Sequence, residues 1–445
     1  MDAAETGIAE HPLDAGSLED ARSAGEVESG VDHRPGPGDH VVLAGEDLVA
    51  GERPTAVDPF RLRRRQQDGD VVARLAVPRG EDMAVHRLAD HPVTGRVARA
   101  VEVGAQSDEV VMHVEEAGEH DLHAFQAIRE MDEVLVNNFM VFDDLVRDEH
   151  YDVVIGDEAW DIDYFLHENP ERKHFEFAWM TDFVGWLPMP DGGAREAEIA
   201  ADYNAEMIEQ RARYRRLRDR SIFIGDPDDI VPDAFGEHLP GIRDWTEANF
   251  EFAGYVTGFD PADFVDREAL RAELGYHADE HVCLVTVGGS GVGGDLVRRV
   301  VEAVPAARRL VPALRFVVVV GPRLDPRSFP RCDGVEYHRY VPDLYRHLAA
   351  CDLAIVQGGL TTCMELTANR RPFIYVPLQH HFEQNFHVHH RLQRYGAGRR
   401  LDYHGAADPD RLAAVIVTEL GRTIDYLPVD PNGAARAAAS IAELL

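Results

Sequence analysis

His281-Val-Cys-Leu-Val-Thr-Val287 followed by Gly288-Gly-Ser-Gly-Val-Gly-Gly294-Asp295 is the stretch on which the reading of this chain turns. An apolar, β-branched segment gives way to a glycine run and then to a helix-forming segment, Leu296 to Val304. This is a strand, a turn and a helix. The pattern continues downstream with strands at Arg315–Val320 and Gly334–Tyr337, a helix at Pro342–Ala350 and a strand at Leu353–Val356. A helix at Thr362–Ala368, a strand at Phe373–Val376 and a helix at Glu383–Arg394 follow. Fully apolar strands alternating with helices predict an α/β fold whose parallel sheet is covered on both faces. Ligands of such sheets bind at the carboxyl ends of the strands, so the site is expected near Gly288, Tyr340, Gln357 and Leu378 before any motif is used.

Upstream, a helix at Met131–Val146, a strand at Tyr151–Ile155 ending in Gly156-Asp157, a strand at Phe175–Met180, a charged helix at Glu196–Arg218 and a strand at Ser221–Ile224 are expected. Aromatic residues reach ordinary density near Phe125, where folded structure is expected to begin. Residues 1 to 120 hold one aromatic residue, Phe60, and one isoleucine, Ile8, so they can bury little apolar surface against their ordering entropy. Two readings stand for them: a disordered acidic extension, or a stretch whose translation does not correspond to a selected protein sequence. His40–Ala44 and Asp70–Ala73 are short strand candidates inside it. The expected organisation is an atypical segment 1–120, a partial α/β domain 121–258 and a second α/β domain 259–445.

A formal charge of -35 argues against a nucleic-acid partner, since phosphate neutralisation needs a surplus of Arg and Lys. Cys283, Cys332, Cys351 and Cys363 form no CxxC pair and sit in or beside apolar runs, which suits reduced thiols in a cytoplasmic protein. The first residues lack a basic segment followed by an apolar core, and no apolar run approaches the roughly 18 residues that span a bilayer. A cytoplasmic location is expected, with peripheral contact at the inner face of the membrane left open.

The glycine turn at a helix start presents backbone N–H groups and a positive dipole end to phosphate. Gly289-x-Gly291-x-x-Gly294 also fits the dinucleotide fingerprint, but the next strand ends in Val320-Gly321-Pro322 with no acid to take a ribose. A tight turn without ligand is the plain alternative. Gln357-Gly-Gly-Leu-Thr-Thr-Cys-Met-Glu365 repeats the arrangement, and Thr362 with Glu365 fits a capping box. Two such junctions at one sheet edge suit a diphosphate flanked by a nucleoside, with Glu365 accepting from the ribose hydroxyls. A third junction, Pro377 to Asn385, brings Glu383, Gln384 and Asn385, groups that read sugar hydroxyls. His387 and His390 have ligand spacing on a helix, but no third ligand is in view, and no metal is expected.

Gly288 to Gly294, Tyr340-Val-Pro-Asp343, Gly358 to Glu365, Pro377 to Asn385 and Gly396-Ala-Gly398 occur in the order and spacing of the C-terminal domain of GT-B glycosyltransferases, which this chain resembles. The nearest likeness is to the bacterial enzymes that add N-acetylglucosamine to lipid I. The resemblance implies two Rossmann-like domains with parallel sheets facing across a cleft, the N-terminal one present only in part. It implies that Gly288, Gly289, Ser290 and Gly291 face the donor diphosphate, with Gly358, Gly359, Thr361 and Thr362 near the phosphates. It further implies that the backbone of Val341 meets the base, Glu365 holds the ribose, and Glu383, Gln384 and Asn385 lie at the transferred sugar. The implied reaction moves a hexosyl group from a nucleotide diphosphate sugar, uridine-linked, to a lipid or small-molecule acceptor, without cofactor or metal. The family's histidine-bearing glycine turn is not found in residues 1–120, so Asp157, at a strand tip, is the candidate for orienting or replacing that base. Trp179, Phe183, Trp186 and Leu187 offer apolar surface on the acceptor side, or are simply core. A non-catalytic nucleotide-sugar-binding protein and a nucleotide-sugar epimerase are the alternatives.

Overall fold

A computed structural model describes residues 63–67, 70–74, 100–104, 132–148, 150–289 and 291–445. Ser290 and the His40–Ala44 strand candidate lie outside the described residues, as does most of the 1–120 segment. Within that segment, β1 (Arg63–Gln67) and β2 (Asp70–Arg74) pair antiparallel, with Arg63 opposite Arg74.

The first parallel sheet runs in the order β3 (Ala100–Gly104), β4 (Val153–Asp157), β5 (Glu176–Thr181), β6 (Arg220–Phe223) and β7 (Glu251–Phe252). The expectation that folded structure starts near Phe125 is therefore corrected. Ala100-Val-Glu-Val-Gly104 pairs residue for residue with Val153 to Asp157, and only a long-range partner makes so short a segment a strand. Its helices are α1 (Asp132–Asp148), α2 (Trp160–Glu168), α3 (Gly193–Arg213) and α4 (Ile242–Asn249). α3 ends five residues before Arg218. Arg218 leaves the helix to donate through Nε to Asp163 Oδ1 at 2.6 Å, and its guanidinium lies 4.7 Å from the Trp179 ring centre. Asp163 is thereby accounted for as the buried partner of a cation.

α5 (Arg267–Glu273) leads into the second sheet. Its strands are β8 (His281–Thr286), β9 (Leu314–Val319), β10 (Val335–His338), β11 (Leu353–Val356), β12 (Phe373–Tyr375) and β13 (Arg399–Arg400), and their spatial order is β10-β9-β8-β11-β12-β13. All neighbours pair in parallel. The chain moves outward from β8 in one direction and then starts again beside it at β11, so the strand order reverses between β8 and β11. The carboxyl end of such a switch point is where doubly wound sheets bind ligands.

The covering helices are α6 (Gly294–Leu310), α7 (Leu344–Ala350), α8 (Leu360–Ala368), α9 (His389–Tyr395), α10 (Pro409–Leu420) and α11 (Gly433–Ala442). In α6 the residues Val297, Val300, Val301 and Val304, at helical spacing, are all buried against the sheet. Leu284, Phe316, Ile355 and Phe373 are fully buried in its strands, each contributing about 1.5–3 kcal/mol by leaving water. Cys283, Cys351 and Cys363 are buried free thiols and Cys332 is half-buried. α11 returns to the first sheet, where Arg436 Nε donates to Ala253 O at 2.6 Å and Arg220 Nη2 to Glu443 at 2.9 Å. No helix among the described residues is long and apolar enough to cross a membrane.

At the switch point two loops approach closely. Gly321, just after β9, has φ +85°, and a Cβ placed there would stand 2.4 Å from Gly288 O. Both the backbone conformation and the contact require glycine. Gly321→Ala is expected to cost about 1–3 kcal/mol and to lower the thermal midpoint, read by circular dichroism.

Candidate functional site

Three loop-to-helix junctions meet at the carboxyl edge of the second sheet. The first, after β8, holds Gly288 (φ +70°) and Gly291 (φ +82°) in left-handed conformations ahead of α6. Gly288 is exposed, Gly289 half-buried and Gly291 buried. The second follows β11, the strand adjacent to β8. Gly358 has φ +108° and Gly359 is the N-cap of α8, with no side-chain cap hydrogen bond. The expected capping box is thus corrected: the helix starts at Leu360, so Thr362 stands at the third helical position and cannot be the cap. Thr361 is exposed, and Thr362 and Glu365 are half-buried. Gln357, just after β11 and only 7% exposed, has an amide Nε2 with no hydrogen-bond partner.

The Glu365 carboxylate acts on two phenols. Tyr255 is buried, and its pKa is pushed well up by burial first and then by the charges of Glu365 and Asp182. Tyr345, stacked 5.3 Å from Phe259, is raised by burial and, more weakly, by Asp343 and Glu365. Val341, in the loop between β10 and α7, is buried, while its neighbour Tyr340 is 53% exposed.

The third junction joins the sheets. After β12 the chain makes a π-helical stretch, Glu383–Val388, that runs into α9. Gln384 Oε1 accepts from Leu378 N at 2.9 Å. Asn385 Nδ2 donates to Leu378 O at 2.7 Å and His381 O at 2.9 Å, and its Oδ1 accepts from Arg400 at 2.7 Å. Both amides therefore brace their own loop. Burial pushes the His387 pKa down to about 3, so its ring stays neutral and donates through Nε2 to Gly185 O at 2.9 Å, across to the first sheet. His380 bonds Asp191 at 2.7 Å, again across the seam. His390 pairs with Asp228 O at 3.2 Å. The histidines thus point to separate partners, and among the described residues no three His, Cys, Asp or Glu side chains are grouped to hold a metal ion.

Of the four apolar residues expected on the acceptor side, Trp179, Phe183 and Leu187 are buried and Trp186 is half-buried. Trp186 and Phe183 pack on Phe382 with ring centres 5.0 and 5.7 Å apart, so these rings seal the seam. Beneath them Arg391, 2% exposed, donates through Nη2 to Asp182 O at 2.8 Å and lies 3.9 Å from Asp229. Arg394 donates to Asp229 at 2.6 Å and to Asp226 at 3.0 Å.

Sequence reasoning missed the group that faces this seam from the first sheet. Asp157 ends β4, Glu158 follows it, and Asp182 follows β5. Glu158 has φ 53°; the Thr181 hydroxyl donates to its Oε1 at 3.0 Å and Asp182 N at 3.3 Å. Burial pushes the Glu158 pKa well up, and the charges of Asp182, Glu383 and Asp157 push it further. Asp182 is raised by burial against the pull of Arg391. Burial and Asp182 together bring Glu383 up to about 8. The signal in the sequence was an acid at the tip of each of two neighbouring apolar strands, to which the carboxyl-end rule applies as it does in the second sheet.

Residues 282–444 match the Glycosyltransferase family 28 C-terminal domain. An uncharacterized glycosyltransferase of Methanopyrus kandleri is 29% identical over 225 residues, 48% of this chain and 60% of that protein. The UDP-N-acetylglucosamine--N-acetylmuramyl-(pentapeptide) pyrophosphoryl-undecaprenol N-acetylglucosamine transferase of an Exiguobacterium species is 32% identical over 144 residues, 32% of this chain and 37% of that protein. The aligned regions thus span about three fifths and about a third of these relatives. Among solved structures, the spinosyn rhamnosyltransferase SpnG complexed with thymidine diphosphate aligns at TM-score 0.44 and 19% identity, over 72% of this chain and 76% of that one.

Two outcomes test the seam. Asp229→Ala leaves two guanidinium groups without their shared carboxylate and is expected to cost about 3–5 kcal/mol in urea denaturation. Glu383 holds its proton in the folded protein up to about pH 8 but releases it near 4.5 when unfolded, so the folded state binds more protons in that window. Stability should fall as pH rises from 4.5 to about 8, and Glu383→Gln should flatten that slope.

Proposed function

We propose that the protein is a glycosyltransferase moving a hexosyl group from a nucleotide diphosphate sugar, uridine-linked, to a hydroxyl of a lipid or small-molecule acceptor. The observation that carries this reading is the pair of glycine junctions on adjacent strands β8 and β11, inside a segment that matches a glycosyltransferase domain. In it, residues 259–445 form the donor domain, and residues 121–258, joined by β3 from residues 100–104, the acceptor-side domain.

Backbone groups at Gly288, Gly289, Ser290 and Gly291 and at Gly358 and Gly359 receive the diphosphate, with the starts of α6 and α8 behind them. Thr361 and Thr362 stand beside the phosphates, and the Gln357 amide is a further donor. As the bond from the anomeric carbon to phosphate breaks, charge grows on the diphosphate, and fixed N–H groups and dipole ends stabilise it without reorganisation. Val341 meets the base through its backbone and Glu365 accepts from the ribose hydroxyls. Glu383 reaches the transferred sugar. Gln384 and Asn385 meet that sugar through the loop they brace, so their own amides act chiefly by fixing Glu383 in place. Asp157 stands at the acceptor side. The relatives named for transfer to an undecaprenol-linked acceptor favour a lipid acceptor, met at the inner face of a membrane by a cytoplasmic enzyme.

Titration calorimetry with uridine diphosphate and thymidine diphosphate tests the donor site. Binding is expected for at least one of them, and Glu365→Ala should weaken it about ten- to hundredfold, the value of hydrogen bonds to a charged group. Absence of heat from both nucleotides, with the protein folded, would sink the reading.

A further inference from the structure

We propose that Glu158 is the base that takes the proton from the acceptor hydroxyl, a role that rests on the glycosyl transfer proposed above. Glu158 stands at the carboxyl tip of β4, and Asp182 at the tip of the adjacent β5, hydrogen-bonded to it. Glu383 faces them from the junction after β12. The three half-buried carboxylates therefore come from both sheets and meet at the seam, beside the Tyr255 phenol on which the charges of Asp182 and Glu365 both act. This ties the group to the nucleotide side of the crevice.

A second observation points to a ligand here. Arg391 is buried, yet its Nη1 has no hydrogen-bond partner while its Nη2 is held by Asp182 O. Its positive charge acts on both Asp182 and Glu383. A buried guanidinium N–H left open beside carboxylates is a donor kept for an oxygen that the protein itself does not supply.

The three acids differ in what surrounds them. Arg391 draws Asp182 and Glu383 toward the ionised form, whereas the charges acting on Glu158 are all negative: Asp182, Glu383 and Asp157. Once ionised, Glu158 is the strongest base of the group. The Thr181 hydroxyl and the Asp182 amide hold its Oε1 at 3.0 and 3.3 Å. In the reaction the acceptor oxygen bonds to the anomeric carbon, and its proton passes to Glu158. The bond from that carbon to the diphosphate oxygen breaks with its electron pair on the diphosphate. The protonated acid then returns its proton to solvent.

The test uses the full chain and three donors, UDP-glucose, UDP-N-acetylglucosamine and dTDP-glucose, with water as acceptor and released nucleotide as the readout. Glu158→Gln should bind uridine diphosphate within about twofold of wild type and lower the release rate by about 10²-fold, the usual loss with a general base. The wild-type rate should rise with pH as the group ionises, and the variant should lose that rise. If Glu158→Gln does not fold, Glu158→Asp should bind nucleotide normally and release it more slowly, since its carboxylate is drawn back by one methylene. Unchanged rates and pH profile in a variant that binds nucleotide overturn the proposal and leave the donor site standing. So does a loss that falls on His380→Ala instead. A wild-type protein that binds nucleotide but turns over none of the donors also counts against a base here. A protein that binds no nucleotide removes the transfer reading itself.

Discussion

Arg391 is the residue on which the rest of the molecule leans. A guanidinium that is 2% exposed survives burial only if anionic or carbonyl partners surround it, and those partners come from the other sheet: Asp182 O at 2.8 Å and Asp229 at 3.9 Å, with the Phe223 ring 5.6 Å away. Arg394, one turn on, is held by Asp229 and Asp226. Both arginines stand on α9, the helix that follows the π-helical stretch. The electrostatics that make burial of these cations tolerable therefore also tie the helix carrying them to the loops of the first sheet.

The seam is charged in a patterned way. Its floor is cationic at Arg391 and Arg394, its rim is aromatic at Trp186, Phe183 and Phe382, and its first-sheet wall carries Glu158 and Asp182. The aromatic rim excludes water, which strengthens every charge interaction below it. That low-dielectric setting accounts for the upward shifts of Glu158, Asp182 and Glu383, the last to about 8, while Asp229 is bonded to Arg394 and to its own backbone turn.

Most of the second sheet was legible in the sequence because its central strands β8, β9, β11 and β12 are apolar on both faces. Strands β8, β9, β11 and β12 fall within a residue of their expected bounds. The first sheet was read less completely. β3 is a five-residue segment whose Ala-Val-Glu-Val-Gly pattern carries no local signal, and it is a strand because Val153 to Asp157 lies beside it. α11 was missed for a similar reason: Gly433 to Ala442 is mostly alanine, and its docking onto the first sheet is a tertiary choice. The glycine turns after β8 and β11 were legible from their composition. The acid cluster was not, because Glu158, Asp182 and Glu383 are separated by long stretches of chain and become a group only when two sheets meet. The capping reading of Thr362 failed because Gly359 can begin the helix by itself, three residues earlier.

The wide-pitch turn at Glu383–Val388 has a consequence for how this chain can tolerate change. A π-turn holds one residue more than the α-turn it replaces, and each residue advances the helix face by roughly 100°. Deleting a single residue there would restore ordinary pitch and swing everything behind it by that angle. His387 would turn from Gly185, and Arg391 would face solvent or apolar core in place of its anions. Length in this short segment is therefore a phase setting for the helix behind it, and relatives that share the seam should vary the identity of these residues more freely than their number.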